Sequence, residues 1–335
     1  FARRFSSWIN AEVDANLLFC EADVYMDSIA IASARCPIDT ILSRLKLCRG
    51  DFDYMPQFAA NLHYLFSELP FLDRFEAAAV AGFKAVEFQV PYDYPAADLS
   101  ARLRANALKM VLFDAPMGVW DRGDRGLAAV PGREREFRDG LAKVIEYGNA
   151  LGCDTVHLMA GVVGPGEDYQ AAERTYISNL GLAASVLGEH GMTGVIEPIN
   201  KKMGIVPNGP SYTTQGMHGY FLNHTDQARR ILDQVGSPNL RLHLDFYHMQ
   251  MLEGHLAETI RNNIGLLRHV QVAGVPGRHE PTVGEINYPY LFDLLDELGY
   301  QGWVGCEYRP RHDTWSGLSW AAKYGILKSR PVTWK

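Results

Sequence analysis

The sequence predicts an eight-stranded parallel β/α barrel, a (β/α)8 TIM barrel with an additional N-terminal segment. From residue 55 onward, short apolar runs alternate eight times with amphipathic helical patterns, which is typical of a parallel sheet. Eight strand–helix units over about 280 residues match the size of this barrel. A doubly wound sheet is the alternative, but the first turn after Leu62 reads HYLFSELP and lacks the glycines that hold nucleotide phosphates in that fold.

The predicted strands are short runs rich in aliphatic and aromatic residues, as expected for strands that are buried on both faces. In chain order they are Phe58–Leu62, Ala85–Gln89, Met110–Asp114, Thr155–Met159, Thr193–Glu197, Leu240–Asp245, His269–Ala273 and Trp303–Glu307.

Each predicted strand is followed by a helical pattern, and several of these patterns stop at a glycine such as Gly82 or Gly152. Thr225 and Asn287 are the predicted N-caps of the fifth and seventh helices. In chain order the predicted helices are Leu72–Ala81, Asp98–Ala107, Glu134–Leu151, Tyr169–His190, Thr225–Val235, His255–Leu267, Pro289–Leu298 and a last piece near Leu318–Leu327.

Residues 1–54 differ from the rest of the chain. They contain three of the five cysteines and show no alternation of strand and helix, although Met26–Cys48 could form one or two short amphipathic helices. We therefore predict an N-terminal extension over residues 1–54, helical or poorly ordered, and a barrel domain over residues 55–335.

Composition narrows the classes of partner. Thirty-two basic and 39 acidic residues give a net charge of −7, which argues against nucleic acid as a partner. Five cysteines without a C-x-x-C pair favour a reducing compartment, so we expect a cytoplasmic protein. No apolar run reaches the roughly 18 residues that span a bilayer, so a membrane partner is not expected. The sequence leaves open whether the chain forms a homo-oligomer.

Four neighbouring strands end in side chains that carry oxygen, and in a barrel such side chains converge on one site. The fifth strand presents Glu197, the sixth Asp245, the seventh Gln271 and the eighth Glu307. Any one of them could instead cap a helix or pair with a basic residue, but four at successive strand ends form a joint pattern.

Three carboxylates packed together raise one another's pKa, and burial adds to the cost. A divalent cation removes this cost. An all-oxygen set of three carboxylates and one amide favours Mg²⁺, with Mn²⁺ as the alternative, over Zn²⁺.

Three further residues are candidates for binding substrate. His248 follows Asp245 by three positions, and it could either hold a substrate oxygen or stabilise the start of a helix. Arg278 lies in the segment VPGRHEP, and its planar guanidinium suits a carboxylate. Asn61 ends the first strand and could donate into the site or bond to the backbone. His157, inside the fourth strand, is interpreted as a residue of the core or as one that supports the site from behind its ligands.

With these residues in view, the chain resembles the hydroxypyruvate isomerase family of the xylose-isomerase-like barrel superfamily. The resemblance covers about residues 55–313. It is carried by IEPIN at 196–200, LDFYHMQ at 244–250, HVQVAGVPGRHEP at 269–281 and GEINYPYLFDLLDELGYQGWVGCEYRPR at 284–311.

The resemblance implies a reversible conversion of hydroxypyruvate to 2-hydroxy-3-oxopropanoate, a step of glyoxylate and carbohydrate metabolism on a small anionic hydroxy-oxo acid. It implies that Glu197 and Glu307 exchange protons with substrate and also bind metal, with Asp245 and Gln271 as the other two ligands. Because three carboxylates and one divalent cation leave a net charge near −1, Arg278 and His248 are the residues expected to hold the anionic substrate.

Two segments depart from the family pattern. Residues 1–54 have no counterpart in it. The loop after IEPIN, near residues 201–219, is longer than expected by roughly 15 residues, and loops of this length are often functional lids or disordered.

Three rival functions remain. A 2-oxo-tetronate isomerase would use the same ligands, and a related sugar-acid isomerase or epimerase would use the same barrel, although a ketose 3-epimerase would resemble a site with histidine in place of Gln271. An abasic-site endonuclease would need several histidine ligands and a basic face, and a non-catalytic binding module would not need an intact carboxylate set.

Overall fold

Eight parallel strands close into a barrel in which each strand pairs with the next along the chain and β1 pairs with β8. The computed structural model describes residues 56–164, 166–201 and 217–326. The expectations for residues 1–54 and for most of the long loop near 201–219 lie outside the described residues. The predicted fold class is confirmed.

All eight predicted strands are present, although their ends shift by a few residues. Their bounds are β1 Gln57–Asn61, β2 Ala85–Glu87, β3 Lys109–Asp114, β4 Thr155–His157, β5 Thr193–Ile196, β6 Leu240–Asp245, β7 Leu267–Val272 and β8 Trp303–Cys306. Glu197 and Glu307 therefore stand one residue beyond the last hydrogen-bonded residue of β5 and β8, where the chain turns out of the sheet.

The α-helices of the described residues are α1 Arg74–Ala81, α2 Ala96–Ala105, α3 Glu134–Leu151, α4 Tyr169–Glu189, α5 Thr225–Val235, α6 Phe246–Leu252, α7 Leu256–Asn263, α8 Tyr288–Glu297 and α9 Thr314–Gly317. Short 3-10 turns cover Phe71–Asp73, Trp120–Arg122, Ile264–Leu266 and Ser319–Tyr324.

Three predictions about helices were wrong in detail. The helix predicted at His255–Leu267 ends at Asn263, because a 3-10 turn and then β7 take over its last residues. The helix predicted near Leu318–Leu327 is a 3-10 segment, Ser319–Tyr324, preceded by α9. Thr225 is the first helical residue rather than the N-cap, and its hydroxyl donates to Glu253 at 2.8 Å.

The other helix boundaries follow their local signals. Gly82 and Gly152 end α1 and α3 with positive φ angles of 112° and 63°, which glycine adopts without a steric penalty. The Asn287 side chain accepts a hydrogen bond from the Tyr290 N–H at the start of α8, as predicted.

The interior of the barrel changes character along its axis. At the lower end, Ala59, Ala85 and Val111 form a small apolar layer against Trp303. Two residues further along β1 and β2, on the same faces, stand Asn61 and Glu87. Barrel interiors are usually filled with branched apolar side chains, so a polar upper layer marks the end of the barrel that holds a site. Among the described residues, no helix is long and apolar enough to cross a membrane.

Candidate active site

The cavity at the carboxyl end of the barrel measures about 90 Å³ and is lined by side chains from all eight strands or the residues that follow them. Three of the four predicted metal ligands line it, namely Glu197, Gln271 and Glu307. The fourth, Asp245, lies beside them, paired in register with Gln271 and completely buried.

The three carboxylates are buried close together, and the pKa of each is raised above its usual range. Burial, reinforced by the charges of Asp245 and Glu307, raises the pKa of Glu197 well above its usual range. Burial raises the pKa of Glu307 to about 8 and that of Asp245 to about 6, although the nearby guanidinium of Arg278 opposes both shifts. Negative charge in this cavity is therefore under-compensated by the protein's own groups.

The Arg278 side chain lies inside this carboxylate cluster. Its Nη2 is 2.7 Å from Glu307 Oε2 and 3.2 Å from Asp245 Oδ2, and its guanidinium packs over the rings of Tyr64 and Tyr247 at 5.0 and 5.1 Å. The guanidinium thus contacts two predicted metal ligands as well as the cavity. Arg278 would therefore have to bind a substrate carboxylate while it remains in contact with Glu307 and Asp245.

The backbone presents Arg278 to the cavity from the loop between β7 and α8. Its φ of 55° is left-handed, a conformation that non-glycine residues rarely adopt. Backbone hydrogen bonds hold the turn, since Arg278 N–H donates to Gly274 O at 2.7 Å and Arg309 N–H donates to Arg278 O at 2.8 Å. Strain held in this way is common where a side chain must be aimed at a site.

Glu87 is a site residue that the sequence analysis missed. Its carboxylate, 1% exposed, accepts hydrogen bonds from the amide of Asn61 at 2.9 Å and from the amide of Gln271 at 2.6 Å. Its other oxygen is 2.6 Å from His269 Nε2. The predicted strand Ala85–Gln89 contains Glu87 in its middle, whereas the observed β2 ends at Glu87, so its place at a strand end appears only in the structure.

This network changes the interpretation of Asn61. Its amide donates to Glu87, and its carbonyl oxygen accepts the His63 N–H at 3.1 Å. Asn61 lines the cavity, but its role in binding substrate stays a prediction.

Histidines surround Glu197. His157 Nδ1 is 3.3 Å from Asp114, and its Nε2 is 3.7 Å from Glu197, so it belongs to the cavity wall rather than to an inert core. His243 Nδ1 is also 3.7 Å from Glu197.

His248 is buried near the start of α6, beside the carboxylates. Its Nε2 is 3.5 Å from Asp245 and 3.9 Å from Glu197, and its Nδ1 is 2.6 Å from the Asn200 amide nitrogen. It is buried beside the carboxylates, so it can orient them, and its predicted contact with substrate stays a prediction.

A divalent cation fits this chemistry. Among the described residues, Glu197 Oε1 and both nitrogens of His243 are buried without a hydrogen-bond partner. Two groups have ligand atoms close enough to share one ion: His157, Glu197 and His243, and Glu197, Asp245 and His248. Glu197 belongs to both groups, so a cation held anywhere in this cluster would use it.

Glu307 is held on both oxygens. Gln89 Nε2 donates to Oε1 at 2.8 Å, and Arg278 Nη2 donates to Oε2. His63 Nδ1 contacts the Gln89 carbonyl oxygen, and burial lowers the pKa of this imidazole to about 4. A neutral histidine and a neutral amide therefore fix the orientation of Glu307 without adding charge.

Comparison with known proteins identifies the family. The model of the xylose isomerase-like TIM barrel family matches residues 75–324. A 2-oxo-tetronate isomerase of Cupriavidus necator is 48% identical over 270 residues, which is 81% of this chain and 99% of that protein. The hydroxypyruvate isomerase of Escherichia coli is 42% identical, over 81% of this chain and its own full length.

A solved structure gives the same fold. The crystal structure titled AP endonuclease, family 2, from Brucella melitensis is 46% identical with a TM-score of 0.76, over 81% of this chain and 100% of that one. Because the family model covers most of the barrel and the curated relatives are matched over nearly their full lengths, this chain is an isomerase of the xylose isomerase-like TIM barrel family.

Proposed function

We propose that the chain interconverts hydroxypyruvate and 2-hydroxy-3-oxopropanoate, with Glu197 and Glu307 handling the proton. The observation that supports it most directly is the pair of buried glutamates at the ends of β5 and β8, each with a raised pKa. A carboxyl group whose pKa approaches the working pH can both take and return a proton. The hydroxypyruvate isomerase among the relatives points to this substrate.

The reaction moves hydrogen between adjacent carbons. One proton leaves C3 of hydroxypyruvate for a carboxylate, and the resulting enediolate receives a proton at C2. The proton of the C3 hydroxyl passes to the oxygen on C2, so that atoms and charge balance. Glu197 suits the transfer at carbon, because its Oε1 is buried and makes no hydrogen bond to the described residues. Glu307, held on both oxygens, suits the transfer between oxygens.

We propose Glu197, Asp245, Gln271 and Glu307 as the residues that hold a divalent metal, Mg²⁺ first and Mn²⁺ as the alternative. Their donor atoms are all oxygens, which these ions prefer. When bound, such an ion polarises the substrate oxygens and stabilises developing negative charge. Histidines near Glu197 could instead bind a softer transition metal, and measurements of metal affinity distinguish the two cases.

Arg278 is proposed to hold the substrate carboxylate. Its guanidinium lines the cavity, where its Nη2 contacts Glu307 and Asp245 and its Nη1 donates to Tyr64 Oη at 3.1 Å. The substrate is a small anion, and the chain's −7 net charge does not attract it, so a local cation has to.

We also propose a cytoplasmic location, which the free thiols of Cys153 and Cys306 support.

A second candidate function is isomerisation of 2-oxo-tetronate, an acid one carbon longer. The Cupriavidus necator relative favours it. In both substrates a carbonyl carbon lies between the carboxylate and a carbon that bears a hydroxyl. The same acidic side chains of the protein can therefore serve either substrate. What separates them is the space available for the extra carbon.

A coupled assay of the purified protein tests these proposals. Hydroxypyruvate and 2-oxo-tetronate are supplied separately, with and without a chelator, and turnover is compared with that of Glu307→Gln. We expect turnover to be lower by about 10²-fold or more in Glu307→Gln, the usual contribution of a positioned acid–base group. We expect the unmodified protein to lose turnover in the chelator and to regain it when Mg²⁺ is added.

The exposed Glu297→Gln serves as the matched control and should leave turnover unchanged. Isomerisation that survives both chelation and Glu307→Gln would overturn the mechanism. Duplex DNA with an abasic site, incubated with the same preparation, should remain uncut; cleavage would favour the endonuclease function instead.

A further inference from the structure

The amide of Gln271 is tied to a buried carboxylate that takes no part in the proposed chemistry. Gln271 Nε2 donates to Glu87 Oε1 at 2.6 Å, and Glu87 is 1% exposed. We infer that Glu87 is a positioning residue, which turns the Gln271 carbonyl oxygen toward the metal proposed above. The inference rests on the proposed function, because it assumes that Gln271 binds the ion.

The hydrogen-bond inventory decides how the amide faces. The oxygen of Glu87 that faces Gln271 is Oε1, which also accepts a hydrogen bond from Asn61 Nδ2 at 2.9 Å, whereas an amide has one donating and one accepting end. Turning the oxygen of Gln271 toward Glu87 would set two acceptors 2.6 Å apart, so the nitrogen must face Glu87. The carbonyl oxygen then lies on the other side of the amide, and Gln271 lines the cavity.

Glu87 is itself fixed from other directions. Asn61 Nδ2 lies 2.9 Å from its Oε1, and His269 Nε2 lies 2.6 Å from its Oε2. A Cβ atom on Gly305 would lie 2.3 Å from both Glu87 oxygens, so the carboxylate fills the space that a side chain there would need. Strands β1, β7 and β8 thus all hold Glu87 in place, and its position is set by the barrel rather than by a ligand.

The orientation matters because glutamine is a weak ligand with a choice of two ends. A cation binds the carbonyl oxygen and is repelled by the NH₂ end. Residues that orient metal ligands in this way typically change metal affinity by about 10–100-fold when removed.

The test measures Mn²⁺ affinity of the full chain by calorimetry, independently of turnover. Glu87→Gln keeps the shape but offers an amide that can donate as well as accept, so Gln271 is free to turn. We expect affinity to fall by about 10–100-fold. Asp114→Asn is the matched control. It also removes a buried negative charge near Glu307, but it contacts His157 rather than Gln271.

A double-mutant cycle separates orientation from charge. In the background Gln271→Leu there is no amide to orient, so adding Glu87→Gln should cost no more than Asp114→Asn does. Gly305→Ala, which displaces the Glu87 carboxylate, provides a second variant and should also weaken Mn²⁺ binding.

The outcomes are distinct. If Gln271→Leu weakens Mn²⁺ binding but Glu87→Gln behaves like Asp114→Asn, the proposed metal site stands and the positioning role is overturned. If Gln271→Leu leaves Mn²⁺ affinity unchanged, Gln271 is not a ligand. The proposed four-residue ligand set and the positioning role of Glu87 then both fail. A cost of Glu87→Gln that persists undiminished in Gln271→Leu overturns the positioning role as well.

Discussion

At the scale of single residues, charge compensation dominates the site. Glu197, Asp245 and Glu307 are buried together, and Arg278 is the cation that contacts two of them. Removing one partner of such a buried group is costly, since the remaining charge cannot return to water. The residues proposed to bind metal and substrate are therefore also residues on which the local structure depends.

Arg278→Ala should raise KM by about 30-fold or more, because losing one partner of a buried charged contact costs about 2 kcal/mol or more. Arg278→Lys keeps the charge but loses the planar fork, so its KM should lie in between. Steady-state kinetics with hydroxypyruvate measures both. Arg311→Ala, an exposed arginine, is the control. A KM that Arg278→Ala leaves unchanged rules out a role in holding the substrate carboxylate.

The raised pKa of Glu307 predicts how pH acts on the metal-free protein. Between its ordinary value of 4.5 and about 8, the unfolded chain has lost this proton and the folded chain keeps it. The free energy of unfolding contributed by this group therefore falls as pH rises through that window.

Urea denaturation in the presence of a chelator at pH 5, 6, 7 and 8 measures this change in the free energy of unfolding. Glu307→Gln is the reference that lacks the titrating carboxyl group. As pH rises, the free energy of unfolding of the unmodified protein should fall relative to that of Glu307→Gln. A difference that is constant over this range, or that shifts the other way, contradicts the raised pKa.

At the scale of elements, the segment between β3 and α3 forms an apolar wall. Met117 and Trp120 line the cavity together with the carboxylates. The Arg125 guanidinium lies 3.8 Å from the centre of the Trp120 ring, and its Nη1 donates to the Trp120 carbonyl at 3.0 Å. Trp120 is thereby held at the cavity, and we propose that it limits the length of the substrate.

Trp120→Ala should shift preference toward the four-carbon acid. The extra space accommodates one more carbon, and a single methylene changes discrimination by about 10-fold or more. The ratio of kcat/KM for 2-oxo-tetronate to that for hydroxypyruvate measures the shift. Tyr290→Ala removes an aromatic side chain that is 48% exposed, and it should leave the ratio unchanged. If Trp120→Ala also leaves the ratio unchanged, this wall does not set substrate length.

At the scale of the whole molecule, all eight strands lie within residues 57–306, and β1 closes the barrel against β8. A protein of residues 55–335 should therefore fold and keep its turnover, which would support the predicted domain boundary. Circular dichroism, thermal melting and the coupled assay measure this.

A protein of residues 63–335 is the matched control. It lacks β1, so the facing edges of β2 and β8 lose their partner and the barrel cannot close. We expect it to be unfolded or aggregated. Loss of the barrel in the 55–335 protein itself would show that residues 1–54 are needed for folding.

The sequence by itself determined the barrel and the four strand-end residues, because both follow from local periodicity. Apolar runs alternating with helical patterns predicted every strand, and topology then required their ends to meet. Glu87 lay inside its predicted strand rather than at its end, and it stood outside the family motifs. The contact of His157 with Glu197 could not be predicted, because a strand residue's neighbours across a barrel cannot be read from its own strand.

Only the tertiary structure decided which groups share the cavity and in what electrostatic state. It set Arg278 between Glu307 and Asp245, tied Gln271 to Glu87, and buried the predicted substrate contact His248 beneath the carboxylates. These relations join residues up to 184 positions apart, and they depend on how far each loop reaches and how each side chain is desolvated. The pattern of one chain shows where a side chain stands on its own strand, whereas the partners that set its charge and direction come from the closure of the barrel.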